Sequence, residues 1–221
     1  MIIEARHNKA AQYVFKAYSN RLLRKNFSNF FLANLPSELP KEKSVILAPN
    51  HFSWWDGFFI YKLNYDLFLR KIFIMMLQEE LERYWFFKYV GAYSIEPKNP
   101  VNISKALKYT QKLFKGASNA IVFYPQGEIE SFDKRPLKLN KGLQLFIRNI
   151  DDNCMVLPVA FKIQHYNKKN PSIIFRAGRS IKAPNILEDF RLFEKEFFDN
   201  IDALNESAFN QSFVMDLFES R

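Results

Sequence analysis

A histidine and an aspartate five residues apart, His51 and Asp56, lie in the stretch Asn50-His51-Phe52-Ser53-Trp54-Trp55-Asp56-Gly57-Phe58-Phe59. Imidazole is the side chain whose ordinary pKa lies closest to neutrality. A carboxylate beside it can fix the ring tautomer and stabilise the imidazolium. Together they can take a proton from a hydroxyl, which is general-base chemistry. Residues five apart point away from each other in a regular helix. The pair can therefore meet only if His51 lies in a loop and Asp56 in the first turn of the helix that follows. Ser53-x-x-Asp56 reads as a capping box, with Ser53 at the N-cap and Asp56 at the third position. One carboxylate oxygen would then cap backbone N–H groups and the other would accept from the imidazole. The helix N-terminus would disfavour protonation of His51, and Asp56 would favour it. A plain cap and a plain turn are the alternative for these two residues.

The elements that must position the pair follow from the apolar pattern. Ser44 to Pro49 reads as a buried strand and Gly57 to Leu67 as a helix. Such strand-to-helix junctions are where α/β proteins place ligands. Lys71 to Met76, Gly91 to Ile95 and Ala120 to Tyr124 read as further strands. Glu79 to Val90 reads as a helix with Leu81, Trp85, Phe86 and Tyr89 as its stripe. Asn99 and Pro100 read as the N-cap and first residue of a helix to Lys115, closed by Gly116. Gly142 to Ile150 reads as a helix. Met155–Phe161 and Ser172–Arg176 read as two strands joined by the polar loop 165–171. Beyond Pro184 the pattern is helical to the end, with Phe190, Phe193, Phe197, Phe198 and Leu204 at helical spacing.

The N-terminal stretch Ala10 to Leu32 reads as an amphipathic helix or helix pair. Its apolar positions are Ala10, Val14, Ala17, Tyr18, Leu22, Phe27, Phe30 and Phe31, among Lys9, Lys16, Arg21, Arg24 and Lys25. Cations and aromatics this dense suit a helix lying on anionic lipid. Leu35 to Pro40 breaks it. The expected architecture is a single α/β domain over 41–221, a mixed, mostly parallel sheet flanked by helices, preceded by the amphipathic segment 1–34.

The chain has 221 residues, 48% hydrophobic, with 24 phenylalanines, a net charge of +9 and a pI near 9.5. The charge points to anionic partners: nucleic acid, an acidic lipid surface or a phosphorylated substrate. Cys154 is the single cysteine, which excludes an internal disulfide. One cysteine and three scattered histidines give no zinc-ligand spacing, so no metal is expected. No apolar run is long enough to span a bilayer. The start, Met1-Ile2-Ile3-Glu4-Ala5-Arg6, lacks the uninterrupted apolar core of a secretory signal. A basic nucleic-acid-binding module would account for the charge and the aromatics. The sequence lacks the RNA-recognition aromatic motif and zinc-knuckle spacing, so no nucleic-acid partner is expected.

These residues, taken together, resemble the glycerolipid acyltransferase superfamily, that of the lysophosphatidic acid acyltransferases, over about residues 44 to 181. Asn50-His51-x-x-x-x-Asp56 matches its catalytic His-four-residues-Asp motif. Gly91-Ala92-Tyr93-Ser94-Ile95-Glu96 and Tyr124-Pro125-Gln126-Gly127-Glu128 fall at its second and third blocks. Lys141-Gly142 resembles the segment after the third. Val156-Leu157-Pro158-Val159 matches the fourth, and Gly178-Arg179-Ser180-Ile181 resembles its close. The resemblance implies acyl transfer from a thioester to a hydroxyl, with His51 as base and Asp56 as its partner. Asn50, Tyr124, Gln126, Gly127 and Glu128 would bind substrate. Two arginines that grip phosphate in the family are replaced, by Pro97 and Ile129. Lys98, Arg135, Lys138 and Lys141 would supply charge from neighbouring loops, as less specific contacts than a guanidinium fork. The acceptor would be a lysophospholipid, or a lipid or glycoside without phosphate. A catalytically dead lipid-binding relative is the further alternative.

The donor would be a fatty acyl thioester, acyl-CoA or acyl-ACP, as cosubstrate, with no resident cofactor. Backbone N–H groups near Gly127 are candidates for an oxyanion site. Trp54, Trp55, Phe58 and Phe59 are candidates for an acyl tunnel, half or more of them core. The expected location is cytoplasmic, peripheral on the inner face of the cell membrane.

Overall fold

The computed structural model describes residues 2–36, 39, 42–116, 118–148, 150 and 154–219. Ser37, Glu38 and Pro40 of the expected break lie outside the described residues. So do Asn149 of the expected helix Gly142–Ile150 and the bounds Met1, Lys41 and Arg221 of the expected segments.

A mixed sheet forms the centre. Its strands are β1 (Asn29–Leu32), β2 (Val45–Pro49), β3 (Lys71–Leu77), β4 (Ala92–Ile95), β5 (Asn119–Val122), β6 (Met155–Gln164), β7 (Ser172–Ala177), β8 (Ile181–Lys182) and β9 (Met215–Asp216). The order across it is β4-β3-β5-β2-β6-β7-β1-β9, with β8 paired to β6. From β4 to β6 the neighbours run parallel; β7 is antiparallel to β6 and parallel to β1. The fold is the single α/β domain with a mostly parallel sheet that the sequence pattern predicts.

Alternation within the strands sends side chains to two cores. Val45 and Leu47 of β2 join Leu157, Val159 and Phe161 of β6 under α1 (Lys9–Asn26) and α2 (Asp56–Leu63). Ile46 and Ala48 join Val156 and Ala160 on the other face, under α5 (Gly142–Ile147), α6 (Ala183–Glu188) and α7 (Phe190–Phe209). The aromatic excess is concentrated in these cores. Phe59 is fully buried, with its ring 5.5 to 6.0 Å from those of Phe27, Phe30 and Phe161. Burying such a ring contributes about 1.5–3 kcal/mol.

Several elements differ from their sequence-based expectations. Residues 29–32 form β1 rather than the end of a helix, so the segment 1–34 contributes a strand to the sheet. Phe27, Phe30 and Phe31 mimic helical spacing, but Phe30 and Phe31 join opposite cores. The buried stripe of α1 is Phe15, Ser19 and Leu23; the expected apolar positions Ala10, Val14, Ala17 and Tyr18 are all exposed. The helix expected through Leu67 ends at Leu63 and continues as a π-helical turn, Asn64–Phe68. The helix expected over Glu79–Val90 is split. α3 (Gln78–Arg83) is followed by a 3₁₀ turn, Trp85–Val90, that aims Phe87 at Phe15 and leaves Trp85 and Phe86 exposed.

Asn99 caps α4 (Pro100–Phe114) as expected, accepting from the N–H groups of Val101 and Asn102. The left-handed residue after it is Ser118, φ 63°, not Gly116. The chain beyond α7 does not stay helical: β9 pairs with β1, and Asp216 accepts from the Asn29 amide and the Phe30 N–H.

Candidate active site

β2 and β5 are parallel neighbours, so their carboxyl ends emerge side by side. Their register pairs Leu47 with Val122. Four residues further along each chain stand His51 and Gln126, and the pairing continues between them in another form. The Gln126 Oε1 accepts the His51 N–H at 2.7 Å, and its Nε2 donates to the His51 carbonyl at 3.2 Å. The Glu130 N–H donates to the same carbonyl at 3.0 Å. One residue earlier the Asn50 amide pairs in the same way with β6, donating to the Phe161 carbonyl at 2.9 Å and accepting its N–H at 2.8 Å. Two side-chain amides thus extend the sheet's hydrogen bonding past its last strand residue, where backbone groups would otherwise lack partners.

The histidine ring is fixed in turn. Nδ1 lies 2.8 Å from Asp56 Oδ2, and the ring of Tyr124 packs on it with centroids 4.2 Å apart. Asp56 is the first residue of α2, two positions before the third position the capping pattern predicts, and the N-cap is Trp55 rather than Ser53. A single oxygen, Oδ2, accepts from the imidazole and from the Phe52 and Ser53 N–H groups at 2.8 and 3.0 Å. The division of labour expected between the two oxygens does not occur: Oδ1 is buried with no hydrogen-bond partner among the described residues. Ser53 Oγ accepts from the Trp55 N–H, which completes the turn.

A carboxylate can only accept, so the hydrogen bond places the ring proton on Nδ1 and the lone pair on Nε2. No hydrogen bond among the described residues reaches Nε2, and the His51 side chain is 23% exposed, against 1% for Asp56. Burial pushes the Asp56 carboxyl above its ordinary value near 3.8; the imidazole and the Ser53 and Phe52 N–H groups pull it back. Burial raises the Tyr124 hydroxyl well above the phenol range, with the Asp56 charge adding to it, so the ring beside His51 is neutral.

The other expected site residues divide. Asn50 and Gln126 are buried with their amides bonded to backbone groups, which positions His51, and Gln126 also lines a groove. Of the backbone N–H groups near Gly127 expected as oxyanion donors, that of Gly127 itself is already bonded to the Tyr124 carbonyl at 3.1 Å. Its glycine is required because φ is +78°. Phe58 and Phe59 are core; Trp55 is half-buried against Phe27, and Trp54 is exposed.

Glu128, Arg135 and Lys138 line a groove of about 620 Å³ beside Gln126. Lys98 and Lys141 do not line it; Lys98 lies in the turn before α4 and Lys141 precedes α5. Glu130, which lines the groove and bonds to both Gln126 and the His51 carbonyl, escapes sequence reasoning. Only its spacing of four from Gln126 hinted at it. No group of three or more metal-ligating side chains occurs among the described residues.

A family model described as Acyltransferase matches residues 33–162, more than half of the chain. The chain belongs to the acyltransferase family. The matched interval contains β2, the His51–Asp56 turn and the Gln126 loop, and ends within β6. Among solved structures, the chain is similar to the 1-acyl-sn-glycerophosphate (LPA) acyltransferase PlsC from Thermotoga maritima. The two share 15% identity at a TM-score of 0.63, over 90% of this chain and 81% of that one. At that identity the likeness is one of fold. No curated protein matches the chain.

The Asp56 environment sets a pH signature. The folded carboxyl holds its proton more tightly than the unfolded one, so this group favours folding at low pH. Its contribution falls as pH rises above about 3.9 through the raised folded value. Asp56→Asn removes that titration. In urea denaturation series, wild-type stability minus that of Asp56→Asn is expected to fall as pH rises above about 4. A difference that does not change with pH would show that burial does not raise this carboxyl.

Proposed function

We propose that this acyltransferase moves a fatty acyl group from an acyl thioester, acyl-CoA or acyl-ACP, to a hydroxyl of a lysophospholipid or glycerolipid-like acceptor. The observation that carries the reading is the His51 Nδ1–Asp56 Oδ2 hydrogen bond of 2.8 Å. It leaves Nε2 as the available base. His51 Nε2 takes the proton as the acceptor oxygen attacks the thioester carbonyl. Asp56 stabilises the imidazolium that forms. The tetrahedral intermediate then collapses: the C–S bond breaks and the thiolate takes the proton from the imidazolium. The products are an ester and a free thiol. The acceptor hydroxyl is itself the nucleophile, so no acyl-enzyme forms.

The Asn50 and Gln126 amides support this reading because they hold the base to the rigid sheet rather than to a mobile loop. His51→Ala is expected to lower thiol release about 10³-fold in a folded protein, the usual worth of a general base. Asp56→Asn is expected to cost about 10²–10⁴-fold, with the fold retained. Wild-type turnover in a folded His51→Ala variant would rule the mechanism out.

Both substrates are amphipathic, and we place the enzyme peripherally on the inner face of the cell membrane. No helix among the described residues is long and apolar enough to cross one. Support comes from the outer face of α1. Ala10, Tyr13, Val14, Ala17, Tyr18 and Arg21 recur at helical spacing and are all exposed. Lys9 and Lys16 flank them. A run of ring contacts, Trp54–Phe58–Phe15–Phe87–Phe86, links this helix to the exposed Trp54 beside the His51 turn. Cosedimentation with phosphatidylglycerol-rich vesicles is expected to exceed that with phosphatidylcholine vesicles and to weaken with salt. Equal binding to both, or loss of none of it in Tyr13→Glu/Tyr18→Glu, would refute this placement.

A further inference from the structure

Acyl transfer requires a thioester donor, and one helix of the fold carries a surface suited to a donor that is itself a protein. Resting on the acyl-transfer reading above, we infer that the exposed lysine face of α4 docks an acidic acyl carrier protein, which delivers the acyl thioester to His51.

Lys105, Lys108 and Lys112 recur at the spacing of one helical face, and Lys115 at the end of α4 continues it. All four are exposed, as is Lys98 in the turn before α4, a further seven residues ahead of Lys105. α4 itself carries no aspartate or glutamate. None of these five ammonium groups has an ion-pair partner among the described residues. Glu96, the acid closest to them in sequence, accepts from the Asn99 and Asn102 amides at 3.3 and 2.7 Å. Like charges three and four residues apart repel each other and weaken the helix that holds them. α7, the other long helix on this face of the sheet, instead pairs Arg191 with Asp189 and Lys195 with Asp199.

The face lies where a soluble donor can approach the base. β4, β3, β5 and β2 run parallel, so the carboxyl end of β4, from which the chain enters α4, lies on the same edge of the sheet as His51. Leu107 and Phe114 of α4 pack into the core of Ile46 and Ala48, whereas α1 covers the core of Val45 and Leu47. An enzyme resting on a membrane by the outer face of α1 therefore turns α4 away from the lipid. The stripe also lacks the anchors that a lipid surface takes up: α4 exposes a single large apolar side chain, Val101. Lys105 to Lys115 extend about 15 Å along the helix axis. That face is convex, whereas a small coenzyme is held in a concave pocket. An acidic helix laid along α4 meets all of these charges at once. A carrier protein holds its acyl group on a long flexible arm, so the docking face and the base need not touch.

The test follows thiol release from palmitoyl-acyl carrier protein and from palmitoyl-CoA, with 1-dodecanoyl lysophosphatidic acid and dodecyl β-D-glucoside as acceptors. Lys105→Glu/Lys108→Glu/Lys112→Glu is expected to lower kcat/KM for the carrier-protein donor about tenfold or more, through KM, and to leave that for palmitoyl-CoA unchanged. Lys105→Gln/Lys108→Gln/Lys112→Gln, which keeps helix propensity, is expected to move the same way by a smaller factor. Binding of either variant to phosphatidylglycerol vesicles is expected to match wild type. Wild-type kinetics with the carrier protein in both variants overturn the inference, and so does an equal loss with both donors. Loss of vesicle binding with carrier-protein kinetics intact overturns it too, and assigns the face to lipid. Should wild type release thiol from neither donor, the acyl-transfer reading fails, and fluorescence anisotropy of labelled palmitoyl-acyl carrier protein decides the docking separately. Binding that charge reversal weakens about tenfold sustains the docking face, and no binding overturns it.

Discussion

Everything at this site depends on how two parallel strands end. Hydrogen bonding between β2 and β5 stops near Leu47 and Val122, yet the His51 peptide groups still need partners. Pro125 has no N–H to give. The Gln126 side chain supplies a donor and an acceptor in its place, and Asn50 does the same toward β6. Each such bond contributes only about 0.5–1.5 kcal/mol net. Their joint effect is positional: they remove the freedom that a loop after a strand would otherwise have.

The same turn solves an electrostatic problem. A carboxylate buried as deeply as Asp56 is costly unless it is hydrogen-bonded. The chain doubles back at residues 52–53 so that two N–H groups and one imidazole converge on Oδ2. The acid is thereby tied to the backbone that carries its base. Movement of one entails movement of the other, and the ring proton stays on the nitrogen nearest the acid. Tyr124, arriving from the end of β5, closes the imidazole face.

The pair, its strand and its helix were legible because each carries a local signal, an apolar run and a histidine before an acid, although the capping box expected at Ser53 gives way to an N-cap at Trp55. The parallel order was legible from alternating strands and helices. What was not legible depended on contacts distant in the chain. β1 reads as helix because Phe27, Phe30 and Phe31 satisfy a helical spacing; only pairing with β7, some 140 residues on, makes them a strand. The two faces of α1 are both apolar, so periodicity alone chose the face that proved to be outside. Gln126 and Asn50 read as substrate ligands because amides near a base suit that role; their capture by backbone follows from strand register.

An aromatic outer surface and a base pinned to the end of the sheet fit an enzyme that meets a lipid by its tail. The central claim is the fixed orientation of the imidazole. It is tested most directly by the ¹⁵N NMR signals of His51 in the neutral ring. The account predicts a protonated Nδ1 and an unprotonated Nε2; a ring with its proton on Nε2 would contradict it.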